Sequence, residues 1–162
     1  DIVQRKLKSI RISQMIWGTY FINVRLVEVG RLQYEYVDMH TIRIHIPSDE
    51  KLEVLKVIDS ITSSKNVIKR YFKVEKPQYV CDSWLLSPEI HQLVSKDTNI
   101  YQFYELFDVS KGYDCIRDIF DFVYRTKECD YRELAEETSL QRVIKEYLLD
   151  GNCIHLGCGI LK

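Results

Sequence analysis

The clearest pattern in the chain is an alternation of apolar and polar residues at positions 41–46. One face of this segment carries only isoleucine and the other is polar, with Ile42, Ile44 and Ile46 opposite Thr41, Arg43 and His45. Because successive side chains of a strand point to opposite faces, the alternation predicts a half-buried strand. Pro47 ends it, and Ser48 is then the expected cap of a long helix whose apolar residues continue at helical spacing to Phe72.

Similar patterns predict the rest of the secondary structure. Gly30 marks a turn or bend between two of the strands. The predicted elements are a helix at 2–21, strands at 24–29, 32–37, 78–83, 99–107 and 115–124, and helices that begin at Ser87 and Ser139, the last stopping at Gly151. This order indicates the α/β (α+β) class, with a mixed β-sheet flanked by helices in a single domain.

The charge of the chain excludes one large class of partner. The 162 residues include 23 basic and 24 acidic side chains, which gives a formal net charge of −1. Without a positive field to gather phosphate groups, nucleic acid is not an expected partner. No segment approaches the roughly 18 consecutive apolar residues that a membrane helix needs, so no membrane association is expected either.

The cysteines and histidines argue against a disulfide framework and against a metal site. Five cysteines are an odd number, and no CxxC pair occurs among them. A reducing compartment fits this usage, which predicts a cytoplasmic location. Cys153, His155 and Cys158 offer three possible ligands, but their spacing matches no usual zinc signature and the four histidines are scattered, so no metal site is predicted.

Several phrases of the sequence resemble a known family. They are Gly30-Arg31-Leu32-Gln33-Tyr34-Glu35, Ile44-His45-Ile46-Pro47, Cys81-Asp82-Ser83-Trp84-Leu85-Leu86-Ser87-Pro88, Asn99-Ile100 with Phe103, and Thr138-Ser139-Leu140-Gln141-Arg142. In this order they resemble bacterial acyltransferases that have a GNAT-like C-terminal domain. The resemblance covers about residues 17–161. It implies that residues 1–20 form a helix leading from a missing upstream domain of the same protein and that residues 21–162 form the GNAT-like domain.

The resemblance also implies a function, with acetyl-CoA or another acyl-CoA as cosubstrate and an amine or similar small molecule as acceptor. Better-known GNAT enzymes bind the CoA pyrophosphate on a glycine-rich loop at a helix N-terminus, where bare backbone N–H groups meet the anion. Here the corresponding link, residues 47–51, has no glycine and carries the carboxylates of Asp49 and Glu50. These carboxylates would suit a helix start but repel a pyrophosphate placed there.

Candidate site residues follow from these patterns. Glu35 and His45 would converge on the polar face if their strands pair, and Ser83 ends a strand beside a helix start, so these three are the candidate catalytic residues. The candidate cofactor-binding residues are Ile46 and Ser48, at the link that corresponds to the pyrophosphate loop of GNAT enzymes, and Trp84, whose indole at a cleft mouth would suit an acyl chain or adenine. The competing interpretations are an ordinary surface strand for Glu35 and His45, a local turn for Ser83 and a core anchor for Trp84.

A second function fits the same sequence. A non-catalytic ligand- or protein-binding module on a GNAT-like frame is favoured by the unusual link at residues 47–51. An open cleft between the strands at 42–46 and 78–83 would favour the enzyme, and a cleft filled by side chains would favour the binding module. Apolar residues at Trp17, Tyr20 and Phe21 predict a homodimer, since such a patch tends to be covered by a second copy.

Overall fold

The computed structural model describes residues 25–162, within which six strands form one mixed sheet. The strands are β1 (Leu26–Val29), β2 (Leu32–Tyr36), β3 (Thr41–His45), β4 (Gln78–Ser83), β5 (Phe107–Asp114) and β6 (His155–Leu161). They lie in the order β1-β2-β3-β4-β6-β5, with β3 parallel to β4 and all other neighbours antiparallel. The predicted helix at 2–21 and the apolar patch around Trp17 lie outside the described residues.

Helices flank this sheet, which confirms the predicted fold class. The α-helices are α1 (Val54–Phe72), α2 (Pro88–Leu93), α3 (Asn99–Tyr104), α4 (Ile116–Asp118) and α5 (Ser139–Leu149). Two short 3₁₀ turns, Trp84–Leu86 and Tyr131–Glu133, and a π-helical segment that extends α4 over Ile119–Tyr124 complete the elements. The long helix α1 is the crossover that lets β4 run parallel to β3.

Two features of α1 differ from the sequence prediction. The helix begins at Val54 after an N-cap at Glu53, so Ser48 is not its cap. The side chains of Leu55, Ile58 and Tyr71 are exposed, although the apolar spacing placed them on the buried face. The helix instead turns two serines, Ser60 and Ser64, toward the sheet.

Serine–tyrosine pairs join α1 to the sheet. The hydroxyl groups of Tyr34 and Ser60 are 2.8 Å apart, and those of Ser64 and Tyr79 are 2.9 Å apart. Burial raises the pKa of Tyr34 to about 12, so its phenol stays protonated and bonded. Because a buried hydroxyl without a partner is costly, these pairs fix the rotation of α1 and override the apolar pattern. Gly30 forms the predicted turn between β1 and β2, with φ of +58°.

The predicted strand at 99–107 is wrong, because this segment holds the helix α3. Thr98 caps it by accepting a hydrogen bond from the Tyr101 N–H, and Phe103 is fully buried in the main core. Aromatic residues at 101, 103 and 104 satisfy both a strand and a helix pattern over so short a run. The hydrogen bond of the Thr98 cap stabilises the helix and not the strand.

The predicted strand at 115–124 is also wrong, and the last two strands lie elsewhere. The buried apolar residues of this run follow a helical spacing: they are Cys115, the N-cap of α4, and Ile119, Phe120 and Tyr124 of the π-helical segment. β5 occupies the more polar residues 107–114, and the segment at 155–161, which showed no strand signal, forms β6 between β4 and β5. Its glycines fit there because a Cβ on Gly157 would stand 1.7 Å from the Leu86 carbonyl oxygen.

Candidate active site

The parallel strands β3 and β4 are paired at only three residues of each strand. Their register joins Thr41 to Gln78, Ile42 to Tyr79 and Arg43 to Val80, where the ladder ends. Beyond this point β4 continues to Ser83 along β6, and among the described residues no ladder pair joins Ile44 or His45 to β4. The carboxyl ends of the two strands therefore diverge, which is the kind of place where open sheets bind ligands.

The two sides of this divergence differ in character. On the side of α1, the side chains of Ile44 and Cys81 are 2% and 1% exposed, and both belong to the main core. Burial raises the pKa of the Cys81 thiol to about 12, so Cys81 is not a thiolate nucleophile. The α1 side is filled by side chains, whereas on the opposite face β3 and β4 carry the polar side chains of Arg43, His45 and Asp82.

Four charged or titratable side chains lie together on that polar face. His45 Nε2 is 2.7 Å from Glu35 Oε2. The register of β2 and β3 places Glu35 opposite Arg43 and Gln33 opposite His45, so Glu35 and His45 are diagonal neighbours on one face. The Arg43 guanidinium lies between two carboxylates, with NH1 3.6 Å from Glu35 Oε2 and Nε 3.6 Å from Asp82 Oδ2. The Arg43–Asp82 pair therefore spans the two diverging strands.

The environment of His45 favours its neutral form. Burial lowers the pKa of His45, and the hydrogen bond with Glu35 opposes this shift without cancelling it. The Glu35 side chain is 13% exposed and that of Asp82 is 42% exposed, so the group runs from a sheltered to an open position. A neutral imidazole held by a carboxylate can accept a proton from a substrate group.

The loop between β3 and α1 is held by a buried arginine. Arg31 is 7% exposed and donates to three main-chain carbonyl oxygens of this loop, at 2.8 Å to Pro47, 2.7 Å to Glu50 and 3.0 Å to Lys51. Glu53 follows as the N-cap of α1 but makes no side-chain capping bond. The backbone N–H groups of the first turn of α1 are therefore without a side-chain cap.

Comparison with known proteins assigns the fold. The model of the GNAT-like C-terminal domain family matches residues 26–161, most of the chain. The chain belongs to this family. Among curated protein sequences, none matches it significantly.

Solved acyltransferase structures share the fold of this GNAT-like domain. An acyltransferase in complex with decanoyl-CoA is 24% identical, with a TM-score of 0.80 over 90% of this chain and 48% of that one. A complex with decanoyl-CoA and teicoplanin is 22% identical, with a TM-score of 0.80 over 99% of this chain and 54% of that one. A mutant acyltransferase in complex with octanoyl-CoA is 22% identical, with a TM-score of 0.83 over 99% of this chain and 54% of that one. The chain thus spans about half the length of these proteins.

The GNAT-like domain brings together some of the candidate site residues. Glu35 and His45 are in contact, whereas Ser83 has the parity of buried Cys81 and so faces the α1 side of β4. The Ser83 hydroxyl accepts the Leu85 N–H at 3.2 Å, as a local cap. Their catalytic roles stay predictions.

The candidate cofactor-binding residues flank the divergence on its two sides. Ile46 follows β3 and packs against the main core, and Ser48 is exposed in the loop that Arg31 holds. Trp84 begins the turn after β4 and packs against a second core, which contains Ile90. Their contact with a cofactor stays a prediction.

Three residues of the site were missed as candidates. In the sequence, Arg43 stands out only as part of a polar face, and Asp82 only as part of a strand end. Arg31 stood in a family phrase, but its burial could not be read from a charged residue next to a turn glycine. Within residues 25–162, no group of three or more histidine, cysteine or acidic side chains could hold a metal ion, and no helix is long and apolar enough to cross a membrane.

Proposed function

We propose that this GNAT-like domain is part of an acyl-CoA-dependent acyltransferase, which transfers an acyl group to an amine or similar acceptor. The observation that carries the proposal is the divergence of β3 from β4 after Arg43, directly beside the paired Glu35 and His45. The fold likeness to acyltransferases in complex with decanoyl-CoA and octanoyl-CoA supports it. An upstream domain of the same protein would complete the cleft, and the free cysteines suit a cytoplasmic enzyme.

In the proposed reaction the thioester lies between the diverging strand ends. The acceptor nitrogen attacks the thioester carbonyl, the C–N bond forms, the C–S bond breaks, and CoA leaves as a thiolate that takes up a proton. His45 accepts the proton lost by the nitrogen, because its lowered pKa keeps the imidazole neutral. Glu35 orients the ring, and it stabilises the imidazolium that forms.

The cofactor would lie across the loop between β3 and α1. The uncapped first turn of α1 supports a pyrophosphate position there, since backbone N–H groups at a helix N-terminus favour an anion. Ser48 and Ile46 would lie beside it, and Trp84 would border the acyl chain from the β4 side. Asp49 and Glu50 would oppose the binding electrostatically.

Binding and turnover of acyl-CoA test this proposal directly. We expect acetyl-, octanoyl- or decanoyl-CoA to give saturable heat in calorimetry with the full-length protein, and an amine to release free thiol. No binding of any acyl-CoA would refute the proposal. For substitutions of His45, His91→Gln is the matched control, because His91 stacks on Tyr101 and Tyr104 away from β3.

The pH dependence separates the roles of the two residues. We expect His45→Gln to remove the acid limb of kcat/KM. Glu35→Gln should shift that limb to lower pH, because Glu35 opposes the lowering of the His45 pKa. An unchanged limb in both variants would exclude His45 as the base.

A non-catalytic binding module remains the second candidate, favoured by the filled α1 side of the divergence and by Asp49 and Glu50. It predicts that acyl-CoA binds without thiol release for any amine, or that a different ligand binds. The thiol assay distinguishes the two candidates.

A further inference from the structure

Arg31 is a buried cation whose partners are all main-chain atoms. The Arg31 residue is 7% exposed, and the three hydrogen bonds of its guanidinium go to the carbonyl oxygens of Pro47, Glu50 and Lys51. Within residues 25–162, no carboxylate forms an ion pair with it. Buried arginines are usually paired with a carboxylate. Because Arg31 has no such partner among the described residues, no carboxylate neutralises its positive charge, which lies directly behind the loop.

These hydrogen bonds also fix the direction of the loop amides. A trans peptide is planar, and its N–H points opposite to its C=O. The carbonyls of residues 47, 50 and 51 point to Arg31, so the N–H groups of Ser48, Lys51 and Leu52 point away from it. Among the described residues, no hydrogen-bond acceptor takes these three N–H groups.

We propose that Arg31 is a positioning residue for the anionic end of the acyl-CoA. It holds the loop so that the three N–H groups face the pyrophosphate, and its unpaired charge adds to their attraction. In this way one side chain from the β1–β2 turn does what glycines do in a glycine-rich loop. The inference rests on the proposed acyl-CoA binding.

Substrates with and without the pyrophosphate separate this role from a purely structural one. Acyl-pantetheine carries the same thioester but lacks the pyrophosphate and the nucleotide. For Arg31→Met in the full-length protein, we expect the KM for acyl-CoA to rise about tenfold or more, with kcat unchanged. The KM for acyl-pantetheine should stay as in the wild type.

Arg31→Lys is the matched variant, because it keeps the charge but cannot reach three carbonyls with a fixed fork. We expect an intermediate rise in the KM for acyl-CoA. Equal losses for both substrates, or a loss in kcat alone, would overturn the proposal and leave Arg31 as a fold-stabilising residue.

A measurement on the wild type keeps the proposal testable if the variants do not fold. We expect saturating CoA to shift the amide proton resonances of Ser48, Lys51 and Leu52, and pantetheine to leave them in place. Binding of CoA without these shifts would overturn the role of Arg31 alone. No binding of CoA or acyl-CoA at all would overturn the proposed function and the inference with it.

Discussion

Gly157 lies in β6 beneath the 3₁₀ turn Trp84–Leu86, and its replacement by alanine measures how closely these elements must approach. A Cβ at this position would stand 1.7 Å from the carbonyl oxygen and 2.3 Å from the carbonyl carbon of Leu86. Real Cβ atoms essentially never come within 3.0 Å of such an atom. Main-chain atoms cannot rotate away, so the turn and the strand must move apart by more than 1 Å, on the order of one bond length.

The expected cost combines overpacking with lost strand pairing. Overpacking a core typically costs about 1–3 kcal/mol. Gly157 also pairs with Ser83 of β4 and Lys111 of β5, and each ladder hydrogen bond that is lost adds about 1 kcal/mol. We expect Gly157→Ala to lower the free energy of unfolding by about 3 kcal/mol or more, measured by urea denaturation followed by circular dichroism.

Two other glycines provide matched controls. Gly151→Ala meets no atom within 4 Å but has φ of +80°, so we expect a loss of only about 1–2 kcal/mol, from backbone strain. Gly159→Ala meets the Cδ1 atom of Leu86 at 2.7 Å, the end of a flexible side chain. Leu86→Ala should therefore relieve part of the cost of Gly159→Ala but not that of Gly157→Ala. A loss for Gly157→Ala no larger than that for Gly151→Ala would refute this reasoning.

Two further predictions concern charge. Burial alone would raise the pKa of Glu89, but the Lys111 ammonium and the His155 N–H outweigh it and hold the pKa at about 2. This lies below the unfolded value of about 4.3, so the carboxylate stabilises the fold above that pH and loses its contribution as the pH falls toward 2. Urea titrations should show Glu89→Gln less stable at neutral pH and less sensitive to acid than the wild type; parallel curves would contradict this. The double change Asp49→Asn with Glu50→Gln should tighten acyl-CoA binding in low-salt calorimetry, with a gain that shrinks as salt rises, and an unchanged affinity would place the pyrophosphate elsewhere.

The structure also revises the stability expected when Asp49 and Glu50 are changed. The sequence placed both in the first turn of the long helix, where replacing them with Gly would cost about 1 kcal/mol through lost dipole pairing and lower helix propensity. Because α1 begins at Val54, they lie before its cap, and the ion pair of the Glu50 side chain is an exposed contact at 4.0 Å with Lys56. The loss should now be a few tenths of a kcal/mol.

The strands with one apolar face were predictable, and those without it were not. The alternation at 41–46 predicted β3, and the same pattern located β2 and β4. β6 contains Gly157 and Gly159 and shows no alternation, because its space is set by Leu86, which lies some 70 residues away in the chain. The short aromatic run at 99–107 satisfied two periods at once, so only the Thr98 cap could separate them.

The candidate site was predictable as far as pairing between neighbouring strands allowed. Glu35 and His45 share the polar face of a hairpin, and their contact follows from the register of β2 and β3. Asp82 reaches this group through Arg43, across a parallel pairing that no local pattern encodes. Arg31 depends on a loop contact 16 to 20 residues away, which sequence spacing does not reveal.

The position of β6 in the sheet has a consequence for how the chain folds during synthesis. β6 is made after all the other described strands, yet it lies between β4 and β5, and β5 has no other neighbour in the described sheet. Until β6 leaves the ribosome, the β1–β4 half can form while β5 stays unpaired and the open edge of β4 is exposed. Ribosomal pausing just before residue 155 would prolong this state, so we expect it to increase aggregation of the nascent chain.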